Sequence, residues 1–426
     1  MFGRTVVVSV GLADKSRLLK HQLDTILMTI FFDDLETRST DQREAEQLVA
    51  LNAQLARIVG HEGSCLPDTG KLLDLSGLAT LPVLRKSDLA KWQSEKPPFG
   101  GMPVSNVAHI FQSPGPIYEP GGITHDWWRM GRFLHAAGFG KDDIVQNCFG
   151  YHLTPAGMIF ESGARAVGAT VLPAGTGQTE LQVTAARDIG TTAYAGTPDY
   201  LKVILDKADQ MGVTLGFAKA AVGGGALFPS LRQEYADRGI ACMQSYATAD
   251  VGNIAYESAA MEGMILDEQI IVEIVTPGTG TPVFPGEVGE VVVTSLNPDY
   301  PLIRFATGDM SAVMAGQSPC GRTNTRIKGW MGRADQTTKI KGMFVRPEQV
   351  AAFVARHEEV ERARVVASRE GEKDILTVQV ECDGGDADAY AASVIDTMKM
   401  KGKVMVCDLG TLPRDGLVIE DQRSYE

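Results

Sequence analysis

Basic residues are in short supply. Lys and Arg number 40 against 53 Asp and Glu in 426 residues, a formal net charge of −13. Nucleic acids and anionic membranes require clustered positive charge, so neither is an expected partner. Cysteine is scarce too. Six residues, Cys65, Cys148, Cys242, Cys320, Cys382 and Cys407, stand far apart with no CxxC pair. This excludes a disulfide frame and reads as the reduced thiols of a cytoplasmic protein. No run approaches the ~20 apolar residues of a membrane span. The apolar start VVVSVGL is shorter than a secretory h-region and runs into charge. No internal repeat or low-complexity segment is present.

What remains is globular composition, 44% hydrophobic and 22% charged, at a length sufficient for two or more domains. The first hundred residues read as helical, with DQREAEQLVALNAQLARIVG (41–60) carrying apolar residues at helical spacing and a further helix start near 87–89. From 140 a regular alternation sets in. Strands are expected at 143–149, 169–175, 191–196, 218–225 and 240–247, with helices at 158–168, 179–190, 198–212 and 230–239. Such alternation implies crossover units and a parallel sheet covered on both faces. After 265 the segments QIIVEIVTP, GEVGEVVVTSL and YPLIRFATGDMSAVM read as a small β-rich subdomain. GRADQTTKIKG (332–342) reads as a polar hinge, and RARVVASREGEKDILTVQVEC as a hairpin within a final small unit. The expected fold is therefore α/β: a large N-terminal domain (1–334) with parallel sheets and a small β-rich subdomain, then a small mobile C-terminal α/β domain (335–426).

In a parallel sheet of this kind ligands collect where strands end and their loops begin. The segments placed there are FGYH (149–152), PAGTGQT (173–179), AGTPDY (195–200), GGGAL (223–227) and SYATAD (245–250). A cleft lined by aromatics, glycines and hydroxyls suits a flat ligand that also carries phosphate. One loop, FQSPGPIYEPGG (111–122), has the glycines of a phosphate loop but no Lys.

Together these residues resemble the phenylacetate–coenzyme A ligase family of acyl-adenylate-forming enzymes, as an atypical member. NCFGYHLTPAGMIFESGARAVGATVLPAGTGQT, PLIRFATGD, CGRTNTRIKGWMGRADQTTKIKG and LPRDGLVIEDQR follow the family's motifs in order along nearly the whole chain. The resemblance implies activation of an aromatic carboxylic acid by ATP to an acyl-adenylate. Coenzyme A is a candidate acceptor, and a homodimer a candidate assembly. It implies that Tyr246 stacks on adenine beside Ala247, and that Gly223, Gly224 and Gly225 pass close to the nucleotide. Asp309 would accept the ribose hydroxyls, and Arg333 would sit near ribose or phosphate. Asp250 falls where the family helps to hold Mg2+, Asp335 would be the hinge, and Phe149, Tyr151 and Phe160 would line the aryl pocket. Taken without the family, the same residues leave plainer readings open. The glycines could form a tight turn, Asp309 a turn, Arg333 and Asp335 a surface ion pair, and Phe149 and Phe160 part of the core.

The departures share a direction. In the loop at 111–122, Pro114, Pro116 and Ile117 replace hydroxyl residues, and Glu119 stands where the family has Lys. Prolines delete amides, and a carboxylate opposite a polyanion is costly. The family's Lys beyond LPR (412–414) is absent. Ala249 replaces a hydroxyl residue and Asp250 a Glu. Ser258, Met264 and Ser318 replace ligands of a Cys/His cluster that some members carry, so no zinc is expected. The expectation is weakened use of ATP and Mg2+ with the adenosine half kept. The phosphate chemistry of the loop is either removed or rebuilt. Three functions stay open: an unusual aryl-acid ligase, a different tailoring step on an aromatic metabolite as in phenazine-like antibiotic pathways, and a non-catalytic binding protein.

Overall fold

Strands built from small and β-branched residues alternate with amphipathic helices from Ile144 to Thr248. Ile144–Asn147, Thr170–Pro173, Ala193–Gly196, Lys219–Val222 and Ala241–Thr248 lie in one sheet and run parallel. Their middle members, AYAG and KAAV, are wholly or almost wholly buried. Short side chains there let helices approach both faces closely. The crossovers are the helices Ala156–Ala166, Thr179–Ile189, Pro198–Gln210 and Pro229–Asp237. The last two begin with proline at the first helical turn, where no amide is needed. This is a computed structural model, and it describes residues 30–59, 66–67, 70–113, 117–334, 336, 338–340, 343–370, 373–413 and 417–423.

Four antiparallel strands, Gly252–Tyr256, Met264–Leu266, Arg326–Ile327 and Val313–Met314, extend the parallel set into a nine-stranded sheet. Beside it stands the β-rich part expected after 265, an antiparallel sheet of Ile270–Val275, Gly289–Ser295 and Phe305–Ser311. The N-terminal helix Thr40–Ile58, capped by Ser39, is tied to the large unit by Arg43 Nε, which donates to Glu268 at 2.8 Å. The C-terminal unit sets helices Pro347–Val354 and Ala387–Met398 against a four-stranded sheet ordered Lys403–Cys407, Lys373–Cys382, Val360–Glu370, Ile419–Asp421. Its core, around Phe353, Val365, Val378, Tyr390 and Val394, is separate from that of the large unit. The hairpin expected from RARVVASREGEKDILTVQVEC is its central pair.

One segment differs from expectation. The flanks of the stretch at 111–122 are strands, His109–Ser113 paired with Ile117–Gly121. Beyond the polar stretch that begins at 332, Thr338–Ile340 pairs with Met343–Val345 in a second ribbon. Pro114, Pro116, Asp335 and Arg414 lie outside the described residues.

The sheet order reverses between Ile144–Asn147, whose one neighbour follows it in sequence, and Ala193–Gly196 on its other side. The carboxyl ends of the strands there open onto the crevice in which such sheets bind ligands.

Candidate active site

Asp309 is a hub of side-chain hydrogen bonds. It lies in the strand Phe305–Ser311 directly after Gly308, which holds a left-handed φ of 73°. A Cβ on Gly308 would meet the Arg333 guanidinium at 2.8 Å, so glycine is what lets Arg333 cross the strand. Arg333 then donates to Asp309 Oδ1 at 2.8 Å, and Trp330 Nε1 donates to the same oxygen at 3.1 Å. Tyr246 OH donates to Oδ2 at 3.0 Å and lies 2.9 Å from Thr307 Oγ1. Burial, reinforced by the Asp309 charge, pushes the Tyr246 phenol well above its ordinary value. Tyr246 is therefore a neutral donor that holds the carboxylate. A carboxylate has about four acceptor positions. Three donors orient this one and leave room for a further hydroxyl.

A cavity of about 1000 Å³ opens over this hub, lined by Gly224, Gly225, Tyr246, Ala247, Asp309 and Trp330 among others. Gly224 holds φ 67°. Gly223 sits below the floor instead, where an added Cβ would crowd Ser245 Oγ at 3.1 Å and Phe160 at 3.4 Å. Arg333 and Gly308 line a second cavity of about 790 Å³, shared with Arg85, Lys86 and Arg346.

Beyond the end of strand Ala241–Thr248 the chain turns into Asp250, whose side chain is inaccessible to solvent. Lys86 Nζ reaches it at 2.8 Å from Oδ2, while Oδ1 has no hydrogen-bond partner. Lys86 opens the helix Lys86–Glu95. Glu119 is buried nearby and accepts from the Ser113 hydroxyl, leaving Oε2 without a partner. Burial, with a smaller contribution from Asp250, pushes the Glu119 carboxyl up to about 7. Burial, with smaller contributions from Asp250 and Glu119, raises the Tyr300 phenol. Glu119 was expected to oppose a polyanion; it points into the protein and is held by Ser113 of the partner strand. Asp250 Oδ1 is an unpartnered carboxylate oxygen, the hard donor type that suits Mg2+.

Of the three expected aryl-pocket residues, Phe149 and Phe160 stack at 4.2 Å between centroids, with Phe133 edge-on to Phe160 at 6.4 Å, and both belong to the main core. Tyr151 accepts from Asn147 Nδ2 at 2.8 Å, and Asn147 Oδ1 accepts from the Phe149 amide at 3.2 Å. None of the three lines either large cavity. Phe149 supports the glycine run from beneath, 3.7 Å from where a Cβ on Gly224 would stand. Ser258, Met264, Ser318 and Cys320, at the positions of the metal cluster, are a hydroxyl–thiol group with Ser318 Oγ 3.1 Å from Cys320 Sγ, and Met264 on the wall of the larger cavity.

Four curated phenylacetate-coenzyme A ligases match along most of the chain. That of Thermus thermophilus is 29% identical over 367 residues, covering 79% of this chain and 82% of its own length. That of Escherichia coli is 29% identical over 378 residues, covering 82% and 84%. The chain resembles the phenylacetate–coenzyme A ligase family. No family model matches it. Among solved structures, an open conformation of 2-hydroxyisobutyryl-CoA ligase in complex with 2-HIB-AMP and CoA shares the fold at a TM-score of 0.66 and 22% identity, over 89% of this chain and 91% of that one. The same ligase in the postadenylation state gives 0.66 with coverage of 91% of both chains.

Two residues of the crevice escaped the sequence reading. Trp330, in GWMGR three residues before Arg333, is an exposed indole that supplies the third donor to Asp309. Lys86 had one available signal, since cations at a helix start run against the helix dipole. Nothing in the spacing linked it to Asp250, 164 residues on.

Proposed function

We propose that this chain is an atypical ligase of the family it resembles, activating an aromatic carboxylic acid with ATP and passing the acyl group to coenzyme A. The observation that carries this reading is the Asp309 hub: a buried carboxylate held by Tyr246, Trp330 and Arg333, with acceptor capacity to spare, at the wall of a glycine-floored cavity. In this reading the nucleobase lies between Tyr246 and the Gly224–Gly225 backbone, with Ala247 beside it. The ribose hydroxyls donate to Asp309, and the Arg333 guanidinium meets the phosphate edge. Lys86 stands at the junction of ribose and acid, where its charge offsets that developing on the α-phosphate.

The substrate carboxylate oxygen attacks the α-phosphorus, the bond to the β-phosphate oxygen breaks, and pyrophosphate leaves. In the second half the thiol sulfur attacks the acyl carbon, its proton goes to solvent, and AMP departs as the C–O bond breaks. Asp250 would hold Mg2+, which would supply charge neutralisation at the phosphates. The phosphate chemistry of the ribbon at 111–122 is, in this account, rebuilt: Glu119 is turned inward and the cation comes from the helix at 86. The acid would enter above Tyr151, with Phe149 and Phe160 forming the apolar floor.

The alternative is a binding protein for an aromatic metabolite or nucleotide, which would use the same contacts without turnover. Incubation with ATP, Mg2+, coenzyme A and a panel of aryl acids, followed by mass spectrometry, separates the two. The ligase reading expects acyl-AMP without the thiol and a coenzyme A thioester with it. Binding of AMP with neither product from any acid would reject it.

A further inference from the structure

The second cavity, about 790 Å³, gathers four cations in a strongly acidic chain. Its lining includes Arg85, Lys86, Arg333 and Arg346 together with Glu290 and Glu348, while Asp250 and Asp309 pair with Lys86 and Arg333 from behind the wall, so the cations of the lining are balanced by carboxylates set mostly at its back. The cations come from three separate segments: the start of helix Lys86–Glu95, the stretch after strand Arg326–Ile327, and the residue before helix Pro347–Val354. Folding brought them together at one wall, and Arg346 is the one of the four without an ion pair among the described residues.

Three are anchored from behind in an orderly way. Arg85 reaches Glu290 at 3.3 Å, Lys86 reaches Asp250 at 2.8 Å, and Arg333 reaches Asp309 at 2.8 Å. Each partner carboxylate is buried, so the guanidinium and ammonium groups are held at the cavity wall. Arg346 is exposed and has no ion pair among the described residues. Two helix starts contribute to the lining, with Arg85–Ser87 from one and Arg346–Gln349 from the other. Each brings the positive end of its dipole, and both carry cations where acids are ordinarily favoured. Gly278 makes the second approach possible, since a Cβ there would meet the Glu348 amide nitrogen at 3.0 Å.

Position selects the ligand. Arg333 joins this cavity to the Asp309 hub, and Lys86 joins it to Asp250, so its mouth lies next to the place where the proposed reaction puts ribose and α-phosphate. We propose that this cavity binds the β- and γ-phosphates of ATP, and the pyrophosphate they become, with Arg85, Lys86, Arg333 and Arg346 as ligands. The assignment rests on the nucleotide reading of the Asp309 site.

The test is calorimetric titration of the full chain with inorganic pyrophosphate, ATP, AMP and coenzyme A, comparing wild type with Arg346→Ala and Arg85→Ala. Arg346 is exposed, so its variant keeps the fold, and AMP binding serves as the check on both proteins. The expected result is that each variant weakens pyrophosphate and ATP by about tenfold, as for loss of one charge-assisted contact, while AMP stays within about twofold. Coenzyme A should be unaffected by Arg346→Ala. Failure of the wild type to bind pyrophosphate, equal affinities in the variants, or a loss confined to coenzyme A would each overturn the assignment. If the phosphate results hold but no acid is turned over, the activity is wrong and the cavity stands. If acid activation proceeds while the variants bind pyrophosphate like wild type, the cavity is wrong and the activity stands.

Discussion

Lys86 Nζ lies 2.8 Å from Asp250 Oδ2, the carboxylate wholly buried and the lysine side chain 38% exposed. One end of this ion pair is sealed in the protein and the other faces a cavity. It ties a helix start near residue 86 to the carboxyl end of a central strand, and so connects the fold to the site.

Lys86→Ala leaves the Asp250 charge buried without its counter-charge. Because the lysine is partly solvated, the expected loss of stability is about 1–2 kcal/mol, below the cost of breaking a fully buried pair. Adding Asp250→Asn should restore about 1 kcal/mol of it, a coupling readable in a double-mutant cycle by urea unfolding. Strict additivity of the two changes would show that the pair does not interact.

Glu119 titrates at about 7 because it is buried, against an ordinary 4.5. The folded protein thus holds a proton that the unfolded chain releases, so this carboxyl's contribution to stability is complete below about pH 4.5 and is lost as pH rises through 7. The loss by pH 8 is on the order of 3 kcal/mol. Asp126, pushed by burial to about 6, adds a smaller loss of the same sign. Glu119→Gln should keep the Ser113 contact and flatten the decline. Unfolding at pH 5 and pH 8 would show it, and an unchanged pH slope in the variant would remove Glu119 from the account.

Much of the fold was legible because the parallel strands are short apolar runs set between helices with proline starts and glycine stops. Helix 179–190, for example, is observed as Thr179–Ile189 and ends on Gly190 at φ 68°. In the 111–122 segment the flanking strands were missed, although their own alternation carried the answer. Ile117 and Glu119 lie two residues apart in a strand, on one face, and the burial of the first implies that of the second. The hub was legible only in part. Tyr246, Asp309 and Arg333 were singled out, but their mutual hydrogen bonds join residues 24 to 63 apart in sequence. The aryl residues came from the family resemblance alone. Their packing, with Tyr151 bonded to Asn147 and Phe149 stacked on Phe160, had no signal in the sequence.

Asp309→Ala should weaken AMP by about tenfold or more, the effect of losing an ionised acceptor for two hydroxyls. Trp330→Phe removes one of the three donors that orient the carboxylate, and its effect should be smaller. Equilibrium titration with AMP and with 2′,3′-dideoxy-AMP checks the mechanism. If Asp309 binds the diol, its removal costs nothing toward the dideoxy compound.

Tyr151→Ala should weaken an aryl acid by about 1–3 kcal/mol with little change in stability. Phe160→Ala, in the packed core, should instead cost about 3–5 kcal/mol of stability. Calorimetry with aryl acids and thermal unfolding separate binding from packing. The reverse pattern would place the acid among the stacked phenylalanines.

The most direct measurement of the central claim is isotope exchange between ATP and pyrophosphate, run with and without each aryl acid. The account predicts exchange that depends on the acid, is lost in Asp309→Ala, and is reduced in Arg346→Ala. Exchange absent with every acid, in a protein shown to bind AMP, would contradict it.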